Sequence, residues 1–291
     1  MKVSTVSVCW NRALQAQRGL YSILNQKVLP DQMILVDDGS VDKGHTREVA
    51  RKLEELCKQK NVEFEYVYLN YPEARVSSYP RNVGLRKVKH EICIFTEPEC
   101  LHVGNTIQKM KEKIEKDSQK IYVATKVWTM GQTIWNNLSE SYYEHPENMV
   151  THPYAQLTDA EQPNNIKAPD SDWAITGSIN CFVGCMIGTL TSHFIACRGH
   201  DEEFVNYGWD DWDMIKRVGL YLDIQKRGIS EYTHNVNVEN CNDIELIHQW
   251  HTKFYPYNIY ESAEINGRKS AVRVESGEYR ANLNNDKWGL M

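Results

Sequence analysis

Long apolar runs are missing from this sequence. Nowhere do about 18 apolar residues, the length that crosses a bilayer, stand together. The opening Met1-Lys2-Val3-Ser4-Thr5-Val6 carries no apolar core of the kind a secretory signal has, so no integral membrane segment and a reducing, cytoplasmic setting are expected. Zinc-site spacing is missing too. Eight cysteines are present, but no second pair follows Cys181 and Cys185, which argues against a structural zinc. Several sit inside apolar stretches, where a thiol packs as a small hydrophobe. An excess of basic charge is absent as well: the formal charge is -6, which gives no support for broad electrostatic binding to nucleic acid or to an anionic membrane. The chain has neither an internal repeat nor a low-complexity tract.

What remains is the composition of an ordinary soluble domain, 41% hydrophobic and 25% charged over 291 residues, long enough for one large domain or two small ones. Strand-like and helix-like stretches alternate. Val3 to Trp10 reads as a strand, and Asn11 is placed to cap a helix with Ala13, Leu14, Leu20, Ile23 and Leu24 on its inner stripe. Met33 to Val36 is a second, buried strand. Val49, Leu53 and Leu56 mark a second helix, Phe64 to Leu69 a third strand, and Ser78 to Val88 a third helix with Pro80 near its start. Ile92, Ile94 and Phe95 form a fourth strand. Ile107, Met110 and Ile114 carry a lysine-rich amphipathic helix, followed by a strand at Ile121 to Thr125. This order implies right-handed crossovers and an α/β fold with a mainly parallel sheet. Trp128 to Trp173 lacks periodicity and reads as long aromatic loops, order returns at Ile179 to Ile195, Asp211 to Gln225 is helical, and the tail after His251 is polar and mixed.

Two strand ends carry chemistry. Val36 runs straight into Asp37-Asp38-Gly39-Ser40, where glycine allows a tight turn and the carboxylates project from the sheet. The strand at Ile92 ends in Glu97-Pro98-Glu99, two carboxylates flanking a proline, an arrangement able to face one divalent cation. In open α/β sheets ligands sit beyond the carboxyl ends of strands, so both turns are candidates.

Taken in series the motifs resemble a family-2-type glycosyltransferase of the GT-A fold. V-S-V-C-W-N-R resembles the opening strand and loop that these enzymes set beside the nucleotide base, V-D-D-G-S at Val36 to Ser40 their second-strand motif, and Arg81-Asn82-Val83-Gly84 their R-N-x-G. Gly199 to Phe204 (G-H-D-E-E-F) resembles G-F-D-E-x-F, and Gly208 to Asp213 (G-W-D-D-W-D) resembles the G-W-x-x-E-D-x-D of galactosyltransferase and polypeptide N-acetylgalactosaminyltransferase relatives. The resemblance runs over about Val3 to Asp213. It departs from the family in having Glu97-Pro98-Glu99 where D-x-D is usual and Asp210-Asp211 where Glu-Asp is usual.

The resemblance implies an inverting, metal-dependent transfer of sugar from a nucleotide-sugar, a UDP-sugar first, to a hydroxyl on a glycan, protein, lipid or modified nucleobase. Trp10, Asn11, Arg12, Asp37, Asp38 and Arg81 would contact the nucleotide. Glu97 and Glu99, with His251 or His248 as a further ligand, would hold Mn²⁺ or Mg²⁺. Asp211 would be the general base, and Trp209, Asp210 and Asp213 would face sugar. A helix N-terminus lowers the pKa of a carboxylate such as Asp211, so removal from water must offset that. Residues 1–100 would form the nucleotide-sugar half of one domain, 101–255 the acceptor half, and 256–291 an extension. Two other readings compete. A nucleotidyltransferase would need a glycine-rich basic loop after the first strand, where Trp10-Asn11-Arg12-Ala13 stands instead; a non-catalytic sugar-nucleotide binder would lack metal-dependent turnover. Nucleic acid as an acceptor gains nothing from the net charge.

Overall fold

The computed structural model describes residues 1–70, 78–137, 145–150, 155–159, 175–179, 184–204, 206, 208–227, 237–251 and 259–291. Its first half is β1 (Val3–Cys9), α1 (Ala13–Leu24), β2 (Gln32–Asp37), α2 (His45–Gln59), β3 (Glu63–Tyr68), α3 (Ser78–Lys87), β4 (Ile92–Thr96), β5 (Cys100–Val103) and α4 (Thr106–Lys116). There follow β6 (Ile121–Met130), α5 (Gln132–Asn137), α6 (Glu147–Val150), β7 (Ala155–Asp159), β8 (Ile175–Ile179) and β9 (Met186–Leu190). The last elements are α7 (Thr191–Ala196), α8 (Asp210–Arg227), β10 (Val238–His248) and α9 (Ile259–Glu275).

One sheet organises them, in the order β3-β2-β1-β4-β9-β6-β10-β5, with β8 on β6 and β7 on β8. The neighbours β3-β2-β1-β4 are parallel, as are β6 and β10; β9 is antiparallel to both β4 and β6 and joins the two parallel groups. Every residue of β2 and β4 is buried, as continuous apolar runs covered on both faces should be. Helices α1, α2 and α4 cover one face through Leu20, Ile23, Leu53, Ile107 and Met110. On the other face α3, α7 and α8 contribute Val83, Phe194, Met214, Ile215 and Val218. Gly84 lets α3 lie close on the sheet, since a Cβ there would collide with Val6 and crowd Val36. His102, wedged between Thr96 Oγ1 (3.0 Å) and Thr106 Oγ1 (2.7 Å), has its pKa pushed down to about 3 by burial and is a neutral structural strut.

The described residues revise four sequence expectations. Asn11 does not cap α1: Arg12 is the N-cap residue, and the Asn11 side chain instead accepts the backbone N–H of Val41 at 2.8 Å. The stretch from 128 is not wholly loop, because β6 continues to Met130 and α5, α6 and β7 follow; the rest of 128–173 lies outside the described residues, as do Cys181 and 252–258. The polar tail contains α9, and β10 is a long strand with no counterpart in the sequence reading. No helix among the described residues is long and apolar enough to cross a membrane.

The strand directions concentrate chemistry on one rim. The carboxyl ends of β1, β2, β4, β6 and β10 lie on the same side as the starts of β5 and β9, so Arg12, Asp38, Glu97, Glu99, Gly184 and His248 arrive there from five separate stretches.

Candidate functional site

The turn after β4 is stapled from both sides. Glu97 N–H donates to Cys185 O at 3.0 Å across the β4–β9 pairing, and Cys100 N–H closes the turn onto Glu97 O at 3.0 Å. His248 stands in register opposite Cys100 in the β10–β5 pair, one residue from Glu99. Gln249 is buried and locks the strand end, its backbone N–H reaching Glu99 O at 3.0 Å and its side-chain amide donating to Gln15 O and Glu99 O. A ligand atom from each of Glu99, His248 and His251 therefore falls within 4.8 Å of the others. The two imidazole rings are 5.2 Å apart, and His251 Nε2 is 3.8 Å from Glu99 Oε1. One carboxylate and two imidazoles form a donor set suited to a first-row divalent ion. Glu97 is not drawn into that group; its carboxylate turns to Arg81.

Arg81 is the second centre. It lies on α3, 7% exposed, and its guanidinium meets Glu97, Asp210 Oδ2 (2.5 Å) and Asp211 Oδ1 (2.8 Å). From the sequence Arg81 can meet the nucleotide base or pair with a turn aspartate. The structure places it between the β4 turn and the first turn of α8, joining the two acidic motifs. Asp210 and Asp211 are aimed there because the chain reverses just before them, with Gly208 at φ 95° and Trp209 at φ 71°. Gly184, at φ 68°, passes so near Asp211 that a Cβ would overlap its carboxylate; any larger residue would displace the aspartate. Nothing in the sequence pattern around Gly184 signalled that approach.

Burial drives the acids apart. Asp211 has its pKa raised well above the ordinary 3.8, first by burial and further by Asp210 and Glu97, with Arg81 opposing. Glu97 is also raised, by burial first and by Glu99 and Asp210, against Arg81. Glu99 goes the other way: burial would raise it, but Arg12, His248 and His251 together hold it below the ordinary carboxylate range. The helix N-terminus does not dominate at Asp211; removal from water does. Side-chain exposure is 23% at Asp211 and 11% at Asp210, so Asp211 is the more accessible of the two α8 acids.

Asp213 is elsewhere. It is fully buried, paired with Arg217 at 2.6 Å and facing Arg273 of α9 at 3.6 Å, while Arg273 also reaches the buried Asp201 at 2.6 Å. That network anchors the first turn of α8 from behind. Trp209 is 37% exposed, lies against Gly267 of α9, and has Lys216 Nζ 5.1 Å from its ring centre.

At the other end of the rim, Asp37 is committed to its own turn, accepting Ser40 N–H at 2.8 Å and Tyr66 O–H at 2.6 Å. Asp38 is buried, with its N–H on Cys9 O at 2.8 Å. Asn11, at φ 53°, donates its N–H to Ser40 Oγ at 2.8 Å and ties the β1–α1 loop to the same turn. Trp10 is half-buried beside it, and Arg12 pairs with Glu99. The site thus gathers four carboxylates, Glu97, Glu99, Asp210 and Asp211, around two guanidiniums, Arg12 and Arg81.

A family model described as "Glycosyl transferase family 2" matches residues 4–175, more than half of the chain. Poly(ribitol-phosphate) beta-N-acetylglucosaminyltransferase TarP of Staphylococcus aureus (strain N315) is 33% identical over 102 residues, covering 34% of this chain and 29% of TarP. Among solved structures, S. aureus TarS 1-349 in complex with UDP-GlcNAc is similar at TM-score 0.56 and 15% identity over 94% of this chain and 66% of that one. The mannosyltransferase PcManGT from Pyrobaculum calidifontis, in complex with GDP-Man and Mn2+, is similar at TM-score 0.52 and 14% identity over 94% of this chain and 62% of that one. The chain spans less than two thirds of the length of each of these relatives.

Proposed function

The chain belongs to glycosyltransferase family 2 and has the GT-A fold, and on that premise we propose that it moves a sugar from a nucleotide-sugar, a UDP-sugar first, to a hydroxyl acceptor, with inversion at the anomeric carbon. The observation that carries the reading is the meeting of two preorganised groups on one sheet rim: Glu99 with His248 and His251, and Asp211 on Arg81. The UDP and UDP-GlcNAc held by the TarS structures favour uracil as the base.

In this reading Asp38 receives the base, with Trp10 and Asn11 of the β1–α1 loop as its further contacts, while Asp37 keeps the turn in shape through Ser40 and Tyr66. Glu99, His248 and His251 would hold Mn²⁺ or Mg²⁺, one carboxylate and two imidazoles being a donor set that fits a divalent ion. When bound, such an ion supplies Lewis-acid stabilisation to the departing diphosphate. Glu97 acts through Arg81, fixing the guanidinium that orients Asp211. Asp211 takes the acceptor proton as the hydroxyl attacks the anomeric carbon, and burial, by raising its pKa, strengthens it as a proton acceptor. Asp210 shares Arg81 and raises Asp211 further, while Asp213 supports the helix turn rather than the sugar. The α8 motif is in this sense used like the acidic motif of galactosyltransferases and polypeptide N-acetylgalactosaminyltransferases, with Trp209 at the sugar side.

Incubation with a panel of UDP-sugars and GDP-mannose tests the proposal. Release of nucleoside diphosphate is expected with Mn²⁺ and not with EDTA, and proton NMR of the freed or transferred sugar should show an inverted anomeric configuration. A retained configuration would reject direct displacement by an acceptor activated at Asp211.

A further inference from the structure

Arg12 stands at a point of competition. Asn11 before it has φ 53°, and the Arg12 carbonyl accepts Ala16 N–H at 2.9 Å, so the residue is fixed at the head of α1 with its side chain turned to the rim. Its guanidinium is bound to Glu99 Oε1, the same oxygen that lies 3.8 Å from His251 Nε2. That oxygen faces both an arginine and an imidazole that would share a cation with it. A guanidinium and a divalent ion brought to the same carboxylate oxygen compete for it, because the two positive charges repel at that distance. The partners differ in freedom: the Arg12 side chain is 31% exposed and that of Glu99 6%. Arginine is the one that can leave.

We propose that Arg12 is an exchangeable counter-ion, neutralising Glu99 while no cation is present and releasing it to the divalent ion as the guanidinium turns to the diphosphate of the incoming nucleotide. The inference rests on the nucleotide-sugar reading above and deepens it. Charge balance gives the exchange its direction. With Arg12 on Glu99 the carboxylate is already compensated, and a cation arriving alone must displace an existing pair. A diphosphate offers the displaced guanidinium a bidentate anionic partner, so the two binding events assist each other, and by linkage the assistance is reciprocal. Arg12 therefore opposes the ion when nucleotide is absent and favours the ion–nucleotide pair when it is present. A residue that only braced the fold would not act with opposite signs.

Mn²⁺ titration of the wild type, Arg12→Gln and Arg12→Lys, followed by the electron paramagnetic resonance of free Mn²⁺ with and without UDP, reads both signs. Without UDP, Arg12→Gln is expected to bind Mn²⁺ about tenfold more tightly, because the fraction of Glu99 open to the ion rises. With Mn²⁺ saturating, UDP is expected to bind the same variant about tenfold more weakly, with the loss of one charge-assisted diphosphate contact. Arg12→Lys, which keeps the charge but loses the fork, should shift in the same directions by less. Equal or weaker Mn²⁺ binding by both variants in the absence of UDP would overturn the counter-ion role while leaving the nucleotide-sugar reading intact. Failure of the wild type to bind Mn²⁺ even with UDP would overturn that reading and this inference together.

Discussion

Asp211→Asn is expected to bind UDP as the wild type does and to transfer sugar at least ~100-fold more slowly, the usual loss when one general base is removed. Asparagine keeps the shape beside Gly184 and can still meet Arg81, but it takes no proton. The same change carries a stability signature of definite sign. A carboxyl with a raised folded pKa holds its proton more tightly in the folded chain than in the unfolded one. Its ionisation therefore removes stability as pH climbs from the ordinary 3.8 through the raised folded value. Asparagine escapes that loss. In EDTA, the urea midpoint of Asp211→Asn should match the wild type near pH 4 and exceed it increasingly toward neutral pH. A variant with near-normal turnover would remove Asp211 from the role of base, and a stability advantage that shrank as pH rose would contradict the raised pKa.

Arg81→Met should have the largest effect on folding. It leaves Glu97, Asp210 and Asp211 packed together with no guanidinium between them, and breaking a buried pair by deleting one partner typically costs about 3–5 kcal/mol. Orphaned carboxylates recover by taking up protons, so the deficit against the wild type should narrow as pH falls toward 4. Arg81→Lys should recover part of the loss, since one ammonium cannot bridge three carboxylates as a planar fork does. Denaturant unfolding at two pH values measures all of this. A loss below about 1 kcal/mol, the scale of an exposed ion pair, would mean that the acids are hydrated rather than clamped.

The strand–helix alternation to β4 was legible because β2 and β4 are continuous apolar runs and α2 and α4 carry clean inner stripes. β10 was not. Its residues include Asn240, Asn242 and Asp243, and its register shifts between Cys241 and Glu245, so no period-2 pattern survives. α9 hides for the opposite reason: its buried positions are Ser262, Asn266, Ser270 and Val274 at four-residue spacing, the first three of them polar, while Tyr260 and Val272 are exposed. Asn266 donates to Gly208 O at 2.9 Å and Ser262 accepts from Asn206 at 3.2 Å, so this helix docks through polar contacts that a hydrophobic pattern cannot reveal.

The site divides in the same way. Glu99, His248, His251 and Asp211 were readable as types of residue at strand and helix ends, and the fold brings the first three together. What sequence could not supply was direction. Arg81 turns from the nucleotide side to the acids, Glu97 follows it, and Asp213 turns inward to Arg217, each set by pairings between segments far apart in the chain. Local spacing carries no information on which of several carboxylates a buried arginine will choose.

Calorimetric titration of UDP, first with Mn²⁺ and then with EDTA, tests the central claim most directly: that Glu99, His248 and His251 hold a divalent ion against a nucleotide diphosphate. Binding with Mn²⁺ that is lost in EDTA, and lost in Glu99→Ala under both conditions, is the predicted result. Equal UDP affinity with and without the ion, unchanged in Glu99→Ala, would contradict it.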